Sequence, residues 1–323
     1  MLSRLLGGLF AATILSYAAF AEGYPERTIT MVVPFSAGGP TDTVARLVAE
    51  KMSADLGQQI VVENVGGAGG TLGAAQVAQA EADGYTLLLH HIGMATSATL
   101  YRSLPYEPLN AFGYVGLVTD VPMVMVAKKD FEPADFPAFI DYVKANTDTV
   151  TMANAGIGSA SHLCGLLFQS AIETQFVTVP YKGTGPAMTD LLGGQVDFMC
   201  DQTTNTTSQI QGETIKAYAT TTAERLALFP DLPTAKESGL PAMEFGIWHG
   251  IYSPAGTPEE INDRLAKSLQ VALADEGVIK AMAELGTAPS SAEEATPAAL
   301  KAKLESEIAR WKPIIESAGV YAD

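Results

Sequence analysis

Basic residues are scarce in this sequence. The chain has 323 residues, with 19 Lys and Arg against 36 Asp and Glu, a net charge of −17. That balance excludes nucleic acid and anionic membrane surfaces as partners, because the long-range field repels both. A small anion stays open, since a local site overrides the global field. Cysteine is almost absent: Cys164 and Cys200 are the only two, too few for a zinc-finger type of site. Nucleotide signatures are missing too. There is no G-K-[ST], which removes the phosphate P-loop. "NVGGAGGTLG" has Gly67 and Gly69, but Leu72 stands where a dinucleotide fingerprint needs glycine. "GIGSA" around Ser159 is not G-x-S-x-G, so the hydrolase nucleophile elbow is absent. Beyond the N-terminus no run approaches the roughly 20 apolar residues of a membrane span. No cofactor and no metal is expected.

The N-terminus carries the one long apolar stretch. Met1 to Arg4 supplies a short positive region, Leu5 to Phe20 is mostly apolar, and Ala19-Phe20-Ala21 fits the A-x-A cleavage rule. Residues 1–21 therefore read as a signal peptide cut before Glu22. An uncleaved anchor is the alternative, and the stretch is short for one. No cysteine follows it to take a lipid. The mature chain is expected to be exported and soluble. Export permits a disulfide, and two isolated cysteines in an exported chain are expected to pair; two buried thiols are the alternative.

What fills the remaining chain is an alternation of strand and helix patterns. Residues 29–33, 60–65 and 85–89 read as strands. Between them, Val44, Leu47, Val48, Met52 and Leu56 recur at helical spacing up to Gly57, and 71–82 reads as an alanine-rich helix. Prolines at 105, 108, 122, 133 and 137 mark a crossover. The alternation then resumes: helices at 135–146, 160–173 and 184–192, strands at 149–153, 176–179, 196–200 and 215–219. "FPDLPTAKESGLP" reads as a return crossover, and the chain ends in helices at 258–274 and 297–317. The expectation is an α/β fold of two lobes, each a mostly parallel sheet flanked by helices and joined at hinge crossovers. Residues 22–121 and 223–323 would form one lobe and 122–222 the other.

Two loops stand out. "PFSAGGPTDT" follows the first strand, and "NAGIGSASH" repeats its plan in the second lobe: strand, glycine-containing loop, helix. A helix start leaves amide N–H groups without partners, the helix dipole adds positive potential, and glycine allows close approach. Such ends bind anions without Lys or Arg. The candidates are Phe35, Ser36, Ala37, Gly38, Gly39, Thr41 and Asp42 in the first loop, and Asn154, Gly156, Gly158, Ser159 and His162 in the second. Glycine loops that only end strands are the alternative. Asp42 would cap the first helix, together with Thr41. Asp201 follows a strand and would face the cleft or orient its own loop. One of His90 and His91 would face the cleft, since strand side chains alternate, and we take His91. Lys182 reads as a solvated lysine, and His249 as a lobe-contact or core residue. A metal on His90, His91 and His162 lacks ligand spacing.

With these stretches in view, the chain resembles the periplasmic solute-binding proteins of tripartite tricarboxylate transporters, the Bug family. The resemblance is carried by "YPERTITMVVPFSAGGPTDTVAR", "VVENVGGAGGTLGAAQVAQAEADGYTLLL", "LYRSLPYEPLNAF", "VPYKGTGPAMTDLLGGQVDFMCDQ" and "LPTAKESGLP" with "SPAGTP". It implies a two-lobed periplasmic binding protein fold of type II that closes on its ligand. It also implies a carboxylate held largely by backbone amides and ordered water, in the loops Phe35–Asp42 and Gly156–His162, with Asp201 facing the cleft. Cys164 and Cys200 fall where some members carry a paired cysteine, and members commonly act with membrane permease subunits. One departure is "HHIGM" at 90–94, where many relatives have small hydroxyl residues.

The function expected is therefore capture of a small organic carboxylate (a di- or tricarboxylate, or an aromatic acid) by a periplasmic monomer that closes and delivers it to a permease, without catalysis. The alternatives are a sensor that presents its closed form to a signalling receptor, and a secreted hydrolase using Ser159 and His162.

Overall fold

The computed structural model describes residues 23–322, so the expected signal peptide lies outside the described residues. The first strand, β1 (Ile29–Val33), buries Ile29, Met31 and Val33 in one cluster with Val44, Val48 and Met52 of helix α1 (Pro40–Leu56). Pro40 opens α1, where its missing N–H costs nothing because the first helical amides have no partner anyway. Gly57 closes it in the left-handed conformation (φ 71°) and donates to Ser53 O. Next come β2 (Ile60–Asn64), α2 (Thr71–Ala78), β3 (Thr86–His91) and α3 (Gly93–Leu100). A 17-residue strand, β4 (Phe112–Lys128), leads into α4 (Phe136–Ala145). Then follow β5 (Thr151–Asn154), α5 (Ala160–Ala171), β6 (Val177–Pro180), α6 (Thr184–Leu192), β7 (Phe198–Gln202), α7 (Thr203–Gln211) and β8 (Ile215–Thr220). The chain returns through β9 (Gly246–Pro254), α8 (Glu259–Leu273), α9 (Glu276–Glu284) and α10 (Pro297–Ala318).

The strand order is β2-β1-β3-β9-β4-β7-β5-β6, with β8 also on β4. The same parallel unit occurs twice. β1 lies between β2 and β3, and β5 lies between β6 and β7, all four pairings parallel. Between these units the sheet is antiparallel: β9 joins β3 to β4, and β4 joins β7 and β8. Each half is thus mixed, where the alternation implied a mostly parallel sheet. The reason is that β4, inside the stretch read as a crossover, and β9, just after the stretch read as the return crossover, add antiparallel strands.

β4 serves both halves. Residues up to Pro122 pair with β9, and those from Met123 onwards pair with β7. Pro122 sits at the change of partner, where a residue without an N–H disturbs no continuing ladder. Thr221 and Phe245 lie against the same point: Thr221 N–H donates to Met123 O, and Phe245 N–H to Thr221 O. Phe139, Phe168 and Phe198 form the aromatic centre of the second half. They belong to one buried cluster with Val32, Leu88 and Trp311, so a continuous core runs behind the junction. Cys164 and Cys200 are disulfide-bonded, fully buried in that cluster, and tie α5 to β7. No helix among the described residues is long and apolar enough to cross a membrane.

Candidate functional site

In both parallel units the chain enters at the middle strand, goes to one side, then crosses to the other. The connections leaving the middle strand and the third strand therefore diverge and open a crevice at the carboxyl ends. Here the two crevices meet. One narrow cavity between the halves is lined by Phe35, Gly39 and Thr41 after β1, His91 at the end of β3, Ala155 and Ser159 after β5, and Asp201 and Gln202 at the end of β7. Pro40, Ala160, Ser161 and Thr184 complete it. Its empty volume, counted together with the open solvent at its mouth, is about 270 Å³. Among the described residues no lysine or arginine lines it.

Four helices begin at this cavity. Thr41 is in the first turn of α1, Ser161 in that of α5, and Thr184 opens α6, while Gln202 is the residue before α7. Gly39 precedes α1 without any side-chain cap. At α5, Ser159 Oγ accepts from the N–H of His162 at 3.3 Å. Each helix start carries roughly half a positive charge, so the wall is electropositive without a single cation.

The residues under the loops explain their shape. Asp42 does not cap α1 from outside; it is the third residue of the helix and faces away from the cavity lining. Its carboxylate accepts from Gly38 N–H at 2.9 Å, from Arg46 Nε at 3.0 Å and from Asn64 Nδ2 at 3.0 Å. Burial opposes its ionisation, but these hydrogen bonds prevail and hold its pKa below the usual range. Gly38 takes φ 78°, which only glycine adopts easily, to make that turn. In the second loop Asn154 Oδ1 accepts from Gly156 N–H, and Ser161 Oγ from Ala155 N–H. Gly156, Gly158, Ala37, Gly38, Asn154 and His162 shape the loops and do not line the cavity.

All four histidines of the chain are buried around this region. His91 stacks on Phe35 with ring centroids 4.6 Å apart, and its Nδ1 accepts from Gly93 N–H. His90 lies behind it, edge-on to Phe35. His249 donates from Nδ1 to Ile247 O and receives Thr41 Oγ1 on Nε2 at 3.4 Å, in this tautomer. His162 Nδ1 accepts from Gly158 N–H at 3.2 Å. Burial lowers every one of them: His90 and His249 to about 3, His162 to about 4, and His91 well below its ordinary value. They are neutral at physiological pH. His91 and His162 each accept at Nδ1, which leaves the proton on Nε2.

Ser36 lies on the seam between the halves. Its N–H and Oγ both donate to Lys182 O, at 3.0 and 3.2 Å. Lys182 itself is exposed. The Tyr101 hydroxyl reaches Ala68 O at 2.6 Å and Ile157 O at 2.9 Å, and Thr96 Oγ1 donates to Gly158 O. Glycines allow the approach: a Cβ on Gly66 would sit 2.7 Å from Lys182 O, and one on Gly185 3.0 Å from Ala37 O.

Comparison with known proteins is decisive for the family. The model for the tripartite tricarboxylate transporter family receptor matches residues 44–320. The chain belongs to this receptor family. Among solved structures, periplasmic binding protein BugD is 52% identical, with TM-score 0.91 over 92% of this chain and 99% of its own. Malate-bound MatC of Rhodopseudomonas palustris is 42% identical, with TM-score 0.88 over 90% of this chain and 100% of its own. Adipate-bound Rpa4515 of R. palustris is 31% identical, with TM-score 0.87 over 92% and 99%. The fold is that of periplasmic binding proteins, and the relatives are binding proteins, not enzymes.

The geometry at Ser159 agrees. A serine nucleophile needs a base nitrogen within hydrogen-bonding reach. Ser159 Oγ instead meets the backbone N–H of His162 and the Ser161 hydroxyl, while the His162 ring is engaged by Gly158. Of the residues singled out by sequence, Phe35, Gly39, Thr41, His91, Ser159 and Asp201 line the cavity. Thr184 and Gln202 line it as well, without a motif of their own. "YKGTG" and "MCDQTT" each place a strand end directly before a helix, and that was the available signal.

Proposed function

We propose that this protein captures a small organic carboxylate in the periplasm and delivers it to a tripartite permease. The observation that carries this reading is the convergence of four helix starts on one cavity without a basic side chain. Unpaired amides and helix dipoles hold an anion there. The neutral His91 imidazole adds an Nε2–H donor. The malate and adipate of the two R. palustris structures support a dicarboxylate, with tricarboxylates and aromatic acids in the same class. Ligand binding draws together two lobes, 22–121 with 223–323 and 122–222, which hinge where β4 changes partner at Pro122. Contacts across the seam, Ser36 with Lys182 and Tyr101 with Ile157, favour the closed form. A ligand touching both lobes shifts the population towards it. The protein is soluble in the periplasm after signal-peptide cleavage near Ala21.

The test is a thermal-shift screen of carboxylic acids against the mature protein, followed by calorimetry. Native-state ligands raise the melting temperature. A rise with at least one carboxylate, and none with the matching amide or alcohol, is expected. No response to any carboxylate overturns the reading.

A further inference from the structure

The wall contributed by β7 and α6 differs from the rest of the cavity. Asp201 is 1% exposed, and its carboxylate faces a cavity without a lysine or arginine. It accepts from Asn205 Nδ2 at 2.5 Å, and the Gln202 backbone N–H also favours its ionised form. Gln202 is 2% exposed, lines the cavity, and its Oε1 has no hydrogen-bond partner. Thr184 is 5% exposed; its hydroxyl lies close enough to Asp201 to favour the ionised form, yet completes no hydrogen bond of full geometry. Buried acceptors without donors are costly, and native structures keep few of them. Burial raises the Asp201 pKa to about 6, so the group is largely ionised at neutral pH. A ligand carboxylate at this wall would meet a buried anion. A ligand hydroxyl or ammonium would meet Gln202 Oε1, which lacks a donor among the described residues, and a carboxylate with acceptor capacity to spare.

We propose that Asp201, Gln202 and Thr184 form a subsite for a hydrogen-bond donor carried beside the ligand's carboxylate, so that the protein selects 2-hydroxy or 2-amino acids over their unsubstituted counterparts. This rests on the carboxylate reading above. The carboxylate goes to the starts of α1 and α5, where Thr41 and Ser159 line the cavity. The cavity is narrow, so the donor sits on the adjacent carbon.

The test is calorimetry with matched ligands: malate and aspartate against succinate, citrate against tricarballylate, and mandelate against phenylacetate. In each series that binds, the substituted acid is expected to bind about tenfold tighter or more, the scale of one hydrogen bond to a charged group. Gln202→Leu narrows that ratio and leaves the unsubstituted acid's affinity in place. Asp201→Asn separates the two donors: it keeps hydroxy-acid binding through its amide oxygen and loses the amino acid. Equal or tighter binding of the unsubstituted acids to the wild-type protein overturns the subsite while the carboxylate reading stands. So does a Gln202→Leu protein that weakens both members of a series alike. If no carboxylate binds, both readings fall together. The wild-type comparison needs no variant to fold.

Discussion

Acidification should destabilise the protein through its four histidines, and the effect can be worked from the structure. An unfolded imidazole titrates near about 6.5. In the fold, burial brings His90 and His249 to about 3 and His162 to about 4, with His91 also well below its ordinary value. As pH falls below about 6.5 the unfolded chain takes up protons that the native chain refuses, so native stability is lost. Between pH 7 and 5 each of His90, His162 and His249 costs about 2 kcal/mol, the three together about 5–6 kcal/mol, and His91 adds to the loss in the same direction. Asp201 acts in the opposite direction. Its folded pKa is raised to about 6, so the native state protonates first and gains about 1 kcal/mol over the same interval. The net loss is at least about 4 kcal/mol, a large part of the roughly 5–15 kcal/mol that holds a typical protein folded. Urea unfolding at pH 7, 6 and 5 measures it directly, and NMR titration of the four imidazole signals checks the cause. His162→Gln should remove about 2 kcal/mol of that loss. A stability flat between pH 7 and 5, or imidazole signals with midpoints near 6.5 in the native protein, would refute the reasoning.

Three further outcomes are expected. Gly185→Val introduces a side chain against Ala37 O, Gly38 C and Gly39 N, 3.0–3.2 Å from its Cβ. Overpacking of that kind costs about 1–3 kcal/mol, here charged to closure, so calorimetry should show affinity about tenfold weaker or worse; unchanged affinity would remove the seam from the mechanism. Tyr101→Phe deletes the hydroxyl shared by Ala68 O and Ile157 O without altering the cavity lining. The loss of about 0.5–1.5 kcal/mol should weaken binding about two- to tenfold, and no change would mean the hydroxyl does not hold the closed form. Reduction of Cys164–Cys200, 36 residues apart, releases a loop whose closure is worth about 4 kcal/mol on the chain-entropy model. The urea midpoint should fall with reductant, whereas two free thiols in the denatured, unreduced protein would contradict the bridge.

The legible parts of the fold were those with local signatures. β1 and α1 were readable because apolar residues at two periods flank a proline-glycine punctuation, and Gly57 marks the stop. The helix at α10 was readable from Pro297 to its glycine stop at 319. The strands β4 and β9 were not. Both are near-continuous apolar runs, and Pro122 inside β4 argued against a strand; its tolerance depends on a change of partner that only the tertiary structure creates. α3 and α7 were hidden because "GMATSATL" and "TTNTTSQIQ" have weak apolar periodicity. At the site, the two glycine loops announced themselves, but loop membership did not tell lining from scaffold. Asp42 looked like a cap and became the anchor of Gly38, because Arg46 and Asn64 reach it from elements that sequence does not place beside it.

The duplicated parallel unit accounts for the chemistry of the site more simply than any single residue does. A middle strand that sends its neighbours to opposite sides leaves a crevice at its carboxyl end, and each further connection from that end starts another helix. Two such units set face to face bring helix starts together whatever their side chains are. The side chains are then free to be neutral: imidazoles stripped of charge by burial, hydroxyls, and glycines that let the halves meet. An anion held by amides escapes the heavy desolvation of a buried ion pair, and so does its release when the halves part. Asp201 is the exception in that wall, the one group there whose charge works against an anion. For that reason it is the residue most informative about what the ligand carries besides its carboxylate.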